Sequence, residues 1–503
     1  MKYLFAIVGF LVAMVVLAVV LVWLFYVEED ARGARAWEVV KKNIEDGGES
    51  VDYHDLIPPE IPDEQNLGAI PLFHVVTVRD GQTISQTNGV KAALHTISPE
   101  FDSLPKAGAW LKGETTDMGP IEKYLSKRYL EVFKSPPSNP FLTDEIDALC
   151  PALNDLRQAA ALRPQCRLPF DYTSNPPYSR ALLPTTSLLS LAKIINLHTL
   201  AALQDKRPEV ALDDIELTLK IDGGARDEPI LVSGLVAAGI MSIQLDSVWE
   251  GLNEHAWTEP QLVELQEELS KIDFLSDYDL CIRGEALGFT AQTMDYLRDH
   301  RTAAALVMDL STEEGLKHRN PLTRFAAWIT PRGWFDRAKA RAVSLYFRAA
   351  RESVDIEARR VYPGKVEPLI NESRDVHLFC IPDIMVGVAT GPIFNSAASF
   401  SEVQFRVDAA GIACALERYR LAHGSYPDSL TALSPYAPKG LPTDLMNGEA
   451  YHYKLRPDGT YLLYSVGWNM VDDGGKVAYK PNDPSHALDR EHGDWVWPCL
   501  KSK

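Results

Sequence analysis

The most apolar stretch of the chain lies near its N-terminal end. Residues 3–26 form a run of 24 residues without a charged side chain, rich in Val, Leu and Ala. A helix of that length is about 36 Å long and exceeds the roughly 30 Å hydrocarbon core of a bilayer. The pattern therefore predicts a transmembrane helix.

A retained anchor and a cleaved signal peptide both begin with such a run. A signal peptide has a shorter apolar region of about 7–15 residues that ends in small residues. Here the run ends in 22–26 (VWLFY), which is typical of an aromatic belt at a membrane interface. We therefore favour the retained anchor.

The charges on either side of the run predict its orientation. Lys2 precedes it and the acidic group 28–30 (EED) follows it. Because positive charges favour the cytoplasmic side, we expect residues 1–2 to form a cytoplasmic tip, residues 3–26 to span the membrane and the rest of the chain to lie beyond it.

Three further regions precede the C-terminal one. Residues 27–66 combine a juxtamembrane helix with a Pro-rich spacer, and residues 67–180 are mixed and give no clear assignment. Residues 181–395 predict an α-helical body, since apolar positions recur at helical spacing and helix starts such as Pro208 and 258–260 (TEP) divide it into hairpins. The hairpins are similar to tetratricopeptide-type pairs. Without a repeat of about 34 residues, however, a plain helical array is the preferred interpretation.

The pattern changes again in residues 396–503. Apolar residues at helical spacing predict a long helix that Gly424 ends. Alternating aromatics follow, punctuated by Asn-Gly and Asp-Gly pairs, and predict a small antiparallel sheet. The predicted fold class is therefore mainly α, with an N-terminal transmembrane helix, an α-helical hairpin array and a C-terminal α+β domain of a long helix plus a small antiparallel sheet.

Composition indicates a large folded protein that does not bind nucleic acid. Of the 503 residues, 46% are hydrophobic and 24% charged, and the net charge is −19, whereas nucleic acids and anionic surfaces require clustered Lys and Arg. The six cysteines include no C-x-x-C pair, which disfavours a zinc ribbon. Cys150 and Cys166 form either a local disulfide or two buried thiols.

Candidate catalytic chemistry is sparse. The sequence has no H-E-x-x-H, no G-x-S-x-G, no P-loop and no dinucleotide fingerprint, which disfavours the common motif-bearing enzymes. Arg283 and Glu285 suggest an ion pair that fixes helix packing, with a substrate-facing pair as the alternative. His255 and His300 are interpreted as isolated, hydrogen-bonded or solvated histidines. The sequence therefore favours a protein that is not an enzyme.

An ordered set of short motifs runs through residues 396–497. In chain order they are 415–420 (ALERYR), 424–427 (GSYP), 442–444 (PTD), Gly448, 451–453 (YHY), 464–467 (YSVG) and 472–475 (DDGG). Together they resemble the C-terminal domain of the major pseudopilins of type II secretion systems. This resemblance covers about a fifth of the chain and implies a pseudopilin-like α+β fold.

In that family the final loop binds calcium through carboxylates and backbone oxygens. The matching positions here are Asp472, Asp473 and Asp494, and their oxygens suit a hard cation. The alternative is a turn-rich loop in which these aspartates cap the backbone. The resemblance thus implies a calcium site, and both interpretations stay open.

The chain departs from the pseudopilin pattern at its anchor. Pseudopilins carry a glutamate five residues after the prepilin cleavage site, whereas Met14 stands at that distance after Gly9-Phe10, and residues 27–395 separate the anchor from the pilin-like region. We therefore do not expect incorporation into a fibre. The whole chain also resembles uncharacterised membrane-anchored proteins of planctomycete and verrucomicrobial type, a resemblance that implies no activity.

The leading functional hypothesis is a membrane-anchored, envelope-facing scaffold or protein-interaction protein with a calcium-stabilised pseudopilin-like domain. It would be a single-pass protein of the bacterial inner (cytoplasmic) membrane with its body in the periplasm. Its partners would be the membrane and other proteins. The alternatives are an accessory component of a type II secretion or pilus-like assembly, and an enzyme whose unrecognised site requires a pocket with converging titratable groups in the helical body.

Overall fold

The computed structural model describes residues 2–80, 83–90, 109–139, 141–174, 176–177, 185–310, 321–374, 382, 386, 390, 393–481 and 488–498. The helices in these ranges are α1 (Lys2–Asp46), α2 (Met118–Phe133), α3 (Leu142–Leu149), α4 (Pro151–Leu162), α5 (Thr185–Gln204), α6 (Pro208–Arg226), α7 (Leu231–Asn253), α8 (Glu259–Leu269), α9 (Phe274–Gly284), α10 (Gln292–Asp299), α11 (Arg301–Leu310), α12 (Pro321–Ile329), α13 (Arg332–Ser353), α14 (Pro363–Arg374) and α15 (Ser396–His423). The fold is mainly α, as the sequence predicts.

Within the described ranges, each strand pairs with an antiparallel neighbour, in small sheets. They are β1 (Val75–Asp80) with β2 (Thr83–Asn88), β3 (Val354–Asp355) with β4 (Arg360–Val361), a sheet of β5 (His452–Leu455), β6 (Tyr461–Ser465) and β9 (Trp495–Trp497) in the order β5-β6-β9, and β7 (Val477–Tyr479) with β8 (Leu488–Gly493).

Helix α1 continues without a break from the apolar run into the charged sequence after it. Its large apolar side chains from Tyr3 to Phe25 are exposed, whereas Glu29 and Ile44 are buried against the body. The helix is followed by Gly48 at a φ of +80°, a conformation that costs glycine no steric strain. The predicted N-terminal apolar helix is confirmed, and the juxtamembrane helix is its direct continuation.

Among the described residues, α1 and α7 are long and apolar enough to cross a membrane. The most apolar stretch of α7 is 72% buried inside the protein, so α7 is a core helix. The corresponding stretch of α1 is fully exposed. Length and composition alone fit both a membrane anchor and a signal sequence.

The helical body is built around α7. Helices α5 and α6 form a hairpin that packs on α7, and α7 and α8 both pack on α15. Pro208 lies in the first turn of α6, where a missing N–H is tolerated. Thr258 and Gln261 form a reciprocal capping box at the start of α8. The helix starts that the sequence predicts are therefore confirmed.

Helix α15 lies between the body and the C-terminal sheet, because it contacts α7, α8 and α9 as well as β6, β8 and β9. It ends at Gly424, whose φ is +82°. The hairpin β5–β6 turns at Gly459, with a φ of +85°. The predicted long helix and small antiparallel sheet are confirmed, and their relation to pseudopilins stays a prediction.

Candidate functional site

The three aspartates predicted to bind calcium lie in loops beside the C-terminal strands. Asp472 and Asp473 precede β7, and Asp494 lies between β8 and β9. Asp494 Oδ1 accepts the N–H of Asp473 at 3.2 Å, and its Oδ2 accepts those of Gly475 at 2.6 Å and Lys476 at 3.3 Å. The fold therefore brings Asp494 against the loop that carries the other two.

The same carboxylates already accept hydrogen bonds from the protein. Asp472 Oδ1 accepts the hydroxyl of Tyr464 at 3.0 Å and the N–H of Gly474 at 2.9 Å. Asp473 Oδ2 accepts the side-chain amide of Asn469 at 3.2 Å. In the parts of the chain that the structure describes, no three His, Cys, Asp or Glu side chains converge to hold a metal ion. The loop fits the capping interpretation better than a cation site, and calcium binding stays a prediction.

Asp494→Ala is expected to destabilise the protein with or without calcium. Asp494 is 2% exposed and accepts three backbone N–H groups, so alanine leaves those donors unpaired at a cost of about 2–3 kcal/mol. Thermal unfolding of the full-length protein in detergent, with chelator or with excess calcium, measures the loss.

The matched control is Asp458→Ala, which removes an aspartate that caps Thr460 in an exposed turn. We expect this control to melt close to wild type. If Asp494→Ala also matched wild type in chelator, and only wild type gained stability from calcium, the calcium interpretation would replace the capping one.

A cleft of about 330 Å³ opens where the helical body meets the C-terminal sheet. Three parts of the chain form most of its wall: the end of α7 with the turn after it, the last turns of α15 with the loop after it, and the β5–β6 turn. The residues around it are Leu252, Asn253, His255, Ala413, Glu417, Arg420, Gly424, Ser425, Tyr426, Asp458, Gly459, Thr460, Tyr461, Trp497 and Pro498.

The backbone at the end of α7 places His255 in this cleft. The N–H of His255 donates to Leu252 O, and the N–H of Ala256 donates to Gly251 O, which is the Schellman arrangement of a helix end. His255 has a φ of +54° at the position in this motif that glycine usually takes. An L-residue there costs roughly 1–2 kcal/mol, so the fold holds this histidine in a strained conformation at the cleft.

The imidazole of His255 pairs with Glu417 on α15. The distance between Nδ1 and Glu417 Oε1 is 2.8 Å, and the side chain of Glu417 is 3% exposed, compared with 46% for His255. Arg420 donates to both oxygens of Glu417, at 2.9 Å from Nε and 2.6 Å from Nη2, and the Tyr426 hydroxyl donates at 2.9 Å. The Glu417 carboxylate raises the pKa of Arg420, which stays a cation. Glu417 thus joins the body to the C-terminal region.

The pairing with Glu417 leaves one ring nitrogen of His255 in a position to bind a ligand. Because Nδ1 faces a carboxylate, Nδ1 carries the proton, and Nε2 of a neutral imidazole is an acceptor. Among the described residues, none makes a hydrogen bond to Nε2 of His255, and no Ser, Thr or Cys side chain bonds the ring. The charge of Glu417 is already balanced by Arg420. The cleft is therefore better suited to binding a hydrogen-bond donor than to activating a nucleophile of its own.

A second polar cluster lies inside the helical body. Arg157 on α4 donates to Asp147 on α3 at 2.8 Å and to Asp214 on α6 at 3.0 Å, and His198 on α5 pairs with Asp214. Burial lowers the pKa of His198, but its hydrogen bonds to Asp147 and Asp214 raise it by more. The side chains of His198 and Asp214 are 2% and 0% exposed, whereas those of Arg157 and Asp147 are 21% and 26% exposed. This largely buried cluster joins four helices.

The contacts of the other residues that the sequence singles out indicate structural roles. Arg283 binds Asp279 on its own helix. Glu285 is partly buried, and loss of solvent around its carboxyl raises its pKa to about 7. Cys150 and Cys166 are both buried free thiols, in agreement with the second of the two interpretations. His300 stacks on Tyr296 at the surface, with ring centroids 3.9 Å apart.

Comparison with known proteins adds no relative. No protein-family profile, no curated protein and no solved structure matches the chain. The resemblances to pseudopilins and to planctomycete and verrucomicrobial proteins therefore stay predictions, and functional inference depends on the chain's own geometry.

Proposed function

We propose that the protein is a single-pass membrane-anchored scaffold or interaction protein, with its acidic body on the periplasmic face of a bacterial inner membrane. The observation that carries the proposal is the single helix α1, whose apolar half is exposed and whose charged half is fixed to the body. A protein built in this way holds its body at a set position relative to the bilayer.

Two carboxylates on α1 connect it to α13. Glu29 Oε2 accepts the indole N–H of Trp334 at 2.8 Å and the guanidinium of Arg337 at 3.2 Å. Asp30 Oδ1 accepts the N–H of Gly333 at 2.8 Å, in the first turn of α13, where helix N–H groups lack partners and a negative charge is favourable. The junction thus uses the residues directly after the apolar run.

The backbones of the two helices also meet closely. A Cβ added to Gly33 would lie 2.2 Å from Gly333 O, and one added to Gly333 would lie 2.0 Å from Glu29 O. Neither glycine carries a side chain, so the helices contact through their main chains at this point. This contact supports a retained anchor, because the charged half of α1 is part of the body's packing and continues directly from the apolar half.

The cleft around His255 supports an interaction role for the body. Its volume of about 330 Å³ is in the range of small-ligand sites, which combine apolar walls with a few placed polar groups. Tyr426 and Tyr461 supply aromatic surface, with ring centroids 5.0 Å apart, and His255 supplies an acceptor. A peptide segment or a polar small molecule with a hydrogen-bond donor fits this chemistry.

The anchor is tested by expressing the full chain in bacteria and extracting membranes with alkaline carbonate. We expect the intact 55.9 kDa chain in the membrane pellet, by mass spectrometry, and an active alkaline phosphatase fused after Lys503. A soluble protein that lacks the first residues would show a cleaved signal sequence and overturn the proposal. Pilin or secretion subunits among crosslinked partners would support the accessory secretion role implied by residues 396–497.

A second candidate function is an enzyme that uses His255 as a general base. The pairing of a half-exposed histidine with a buried carboxylate beside a cleft favours it. The test is turnover of ester, peptide and glycoside substrates by wild type, His255→Gln and the surface control His300→Gln. Activity that only His255→Gln lacks would establish an enzyme, and its absence from wild type would leave the binding role.

A further inference from the structure

Helix α12 exposes three large apolar side chains on one face. Phe325, Trp328 and Ile329 are 58%, 73% and 41% exposed, and spacings of three and four residues place them side by side. Ala327 is fully buried, on a helix that packs against α11. Apolar residues exposed singly need no explanation, but a contiguous group of this size marks an interaction surface.

A hydrogen bond sets the level of this face along the anchor. The Tyr26 hydroxyl donates to the carbonyl oxygen of Ile329, the last residue of α12. Tyr26 also lies at the end of the uncharged run, two residues before Glu28. Since a 24-residue helix is slightly longer than the hydrocarbon core, Tyr26 lies at the membrane boundary when α1 spans the bilayer. The apolar face of α12 therefore lies at the same boundary.

Neighbouring side chains on α1 extend the same aromatic layer. Trp23 and Phe25, within one turn of Tyr26, are 62% and 48% exposed. Tryptophan is enriched at the membrane–water interface. Helices that lie in this interface carry tryptophan, phenylalanine and leucine on their apolar face. Two separate parts of the chain thus present aromatic rings at one height.

We propose that α12 is a membrane-interface helix, which inserts Phe325, Trp328 and Ile329 among the lipid headgroups and upper acyl chains beside the anchor. The inference builds on the proposed anchor and adds a second contact between the body and the bilayer. The ligand is the lipid bilayer itself. Continuity with α1 at the level of Tyr26 favours lipid over a protein partner on this face.

The test uses the full-length protein in nanodiscs that contain lipids brominated near the headgroup, which quench nearby tryptophans. Three variants remove one tryptophan each: Trp328→Phe, Trp23→Phe in the anchor and Trp468→Phe in the C-terminal region. Phenylalanine keeps the apolar volume, and circular dichroism checks that each variant folds. We expect Trp328→Phe and Trp23→Phe to remove similar shares of the lipid-quenchable emission, and Trp468→Phe to remove none.

The outcomes separate the two proposals. If Trp23→Phe reduces the quenchable emission and Trp328→Phe does not, the anchor stands and the interface helix is overturned, including the case in which a protein covers this face. If neither variant changes the quenching, α1 does not enter the bilayer and the anchor itself is overturned. A loss of lipid-quenchable emission with both variants supports the interface helix.

Discussion

Arg157→Ala is expected to lower the free energy of unfolding by about 3–5 kcal/mol, the cost of leaving a buried charge without its partner. Arg157 donates to Asp214 Oδ1 from Nε at 3.0 Å and from Nη2 at 2.9 Å. Asp214 is completely buried, and His198 is its remaining side-chain hydrogen-bond partner among the described residues once the guanidinium is gone. Urea unfolding of the detergent-solubilised full chain measures the loss.

The control is an arginine in an exposed ion pair. Arg348 lies 2.8 Å from Glu372, and their side chains are 41% and 50% exposed, so Arg348→Ala should cost no more than about 1 kcal/mol. Arg157→Lys should give an intermediate result, because lysine keeps the charge but loses the two-nitrogen fork. Equal losses of unfolding free energy for Arg157→Ala and Arg348→Ala would show that water reaches Asp214. The cluster around Arg157 would then not be a buried unit.

Gly333→Leu is expected to separate the anchor from the body. A Cβ at this position meets Glu29 O and Asp30 Cα, which are backbone atoms and cannot rotate away as a flexible side chain would. The expected cost is about 3 kcal/mol, at the upper end of overpacking. Thermal unfolding in detergent measures it, and limited proteolysis after α1 should become faster because the helix no longer packs on α13.

Gly33→Leu should reproduce this effect from the other side of the crossing, since its Cβ meets the backbone of Gly333. Gly9→Leu is the matched control, because nothing lies within 4 Å of a Cβ there and leucine suits a helix in lipid. A Gly333→Leu protein with the melting temperature and protease resistance of wild type would mean that the crossing is looser than the structure places it.

Local signals in the sequence predict helices α1, α5 to α8 and α15 and the C-terminal hairpin. Pro208 and Thr258 mark helix starts, Gly424 marks a helix end, and the Asp458-Gly459 pair marks a turn, because each acts through backbone conformation or hydrogen bonds within a few residues. Such features need no knowledge of the rest of the fold, so one sequence suffices to place them.

Contacts between distant residues escape the same reasoning. His255 and Glu417 are 162 positions apart, and Glu29 is 305 positions from Trp334. Before folding, His255 has no feature that distinguishes it from an ordinary surface histidine. At Arg283 the sequence suggests a wrong partner. Glu285, two residues later, is expected to pair with it, but the structure pairs Arg283 with Asp279, one turn earlier on the same helix. Helical geometry, applied at that site, favours the pairing four residues apart.

The unbroken helix α1 has a mechanical consequence. In a protein tethered by a flexible linker, the orientation of the body is independent of the membrane helix. Here the 20 residues from Val27 to Asp46 extend about 30 Å beyond the apolar run as one rod. A change in bilayer thickness that tilts the anchor would therefore turn the whole body with it. In the proposed topology the protein is a lever, in which the angle of the anchor in the lipid sets the direction in which the His255 cleft faces.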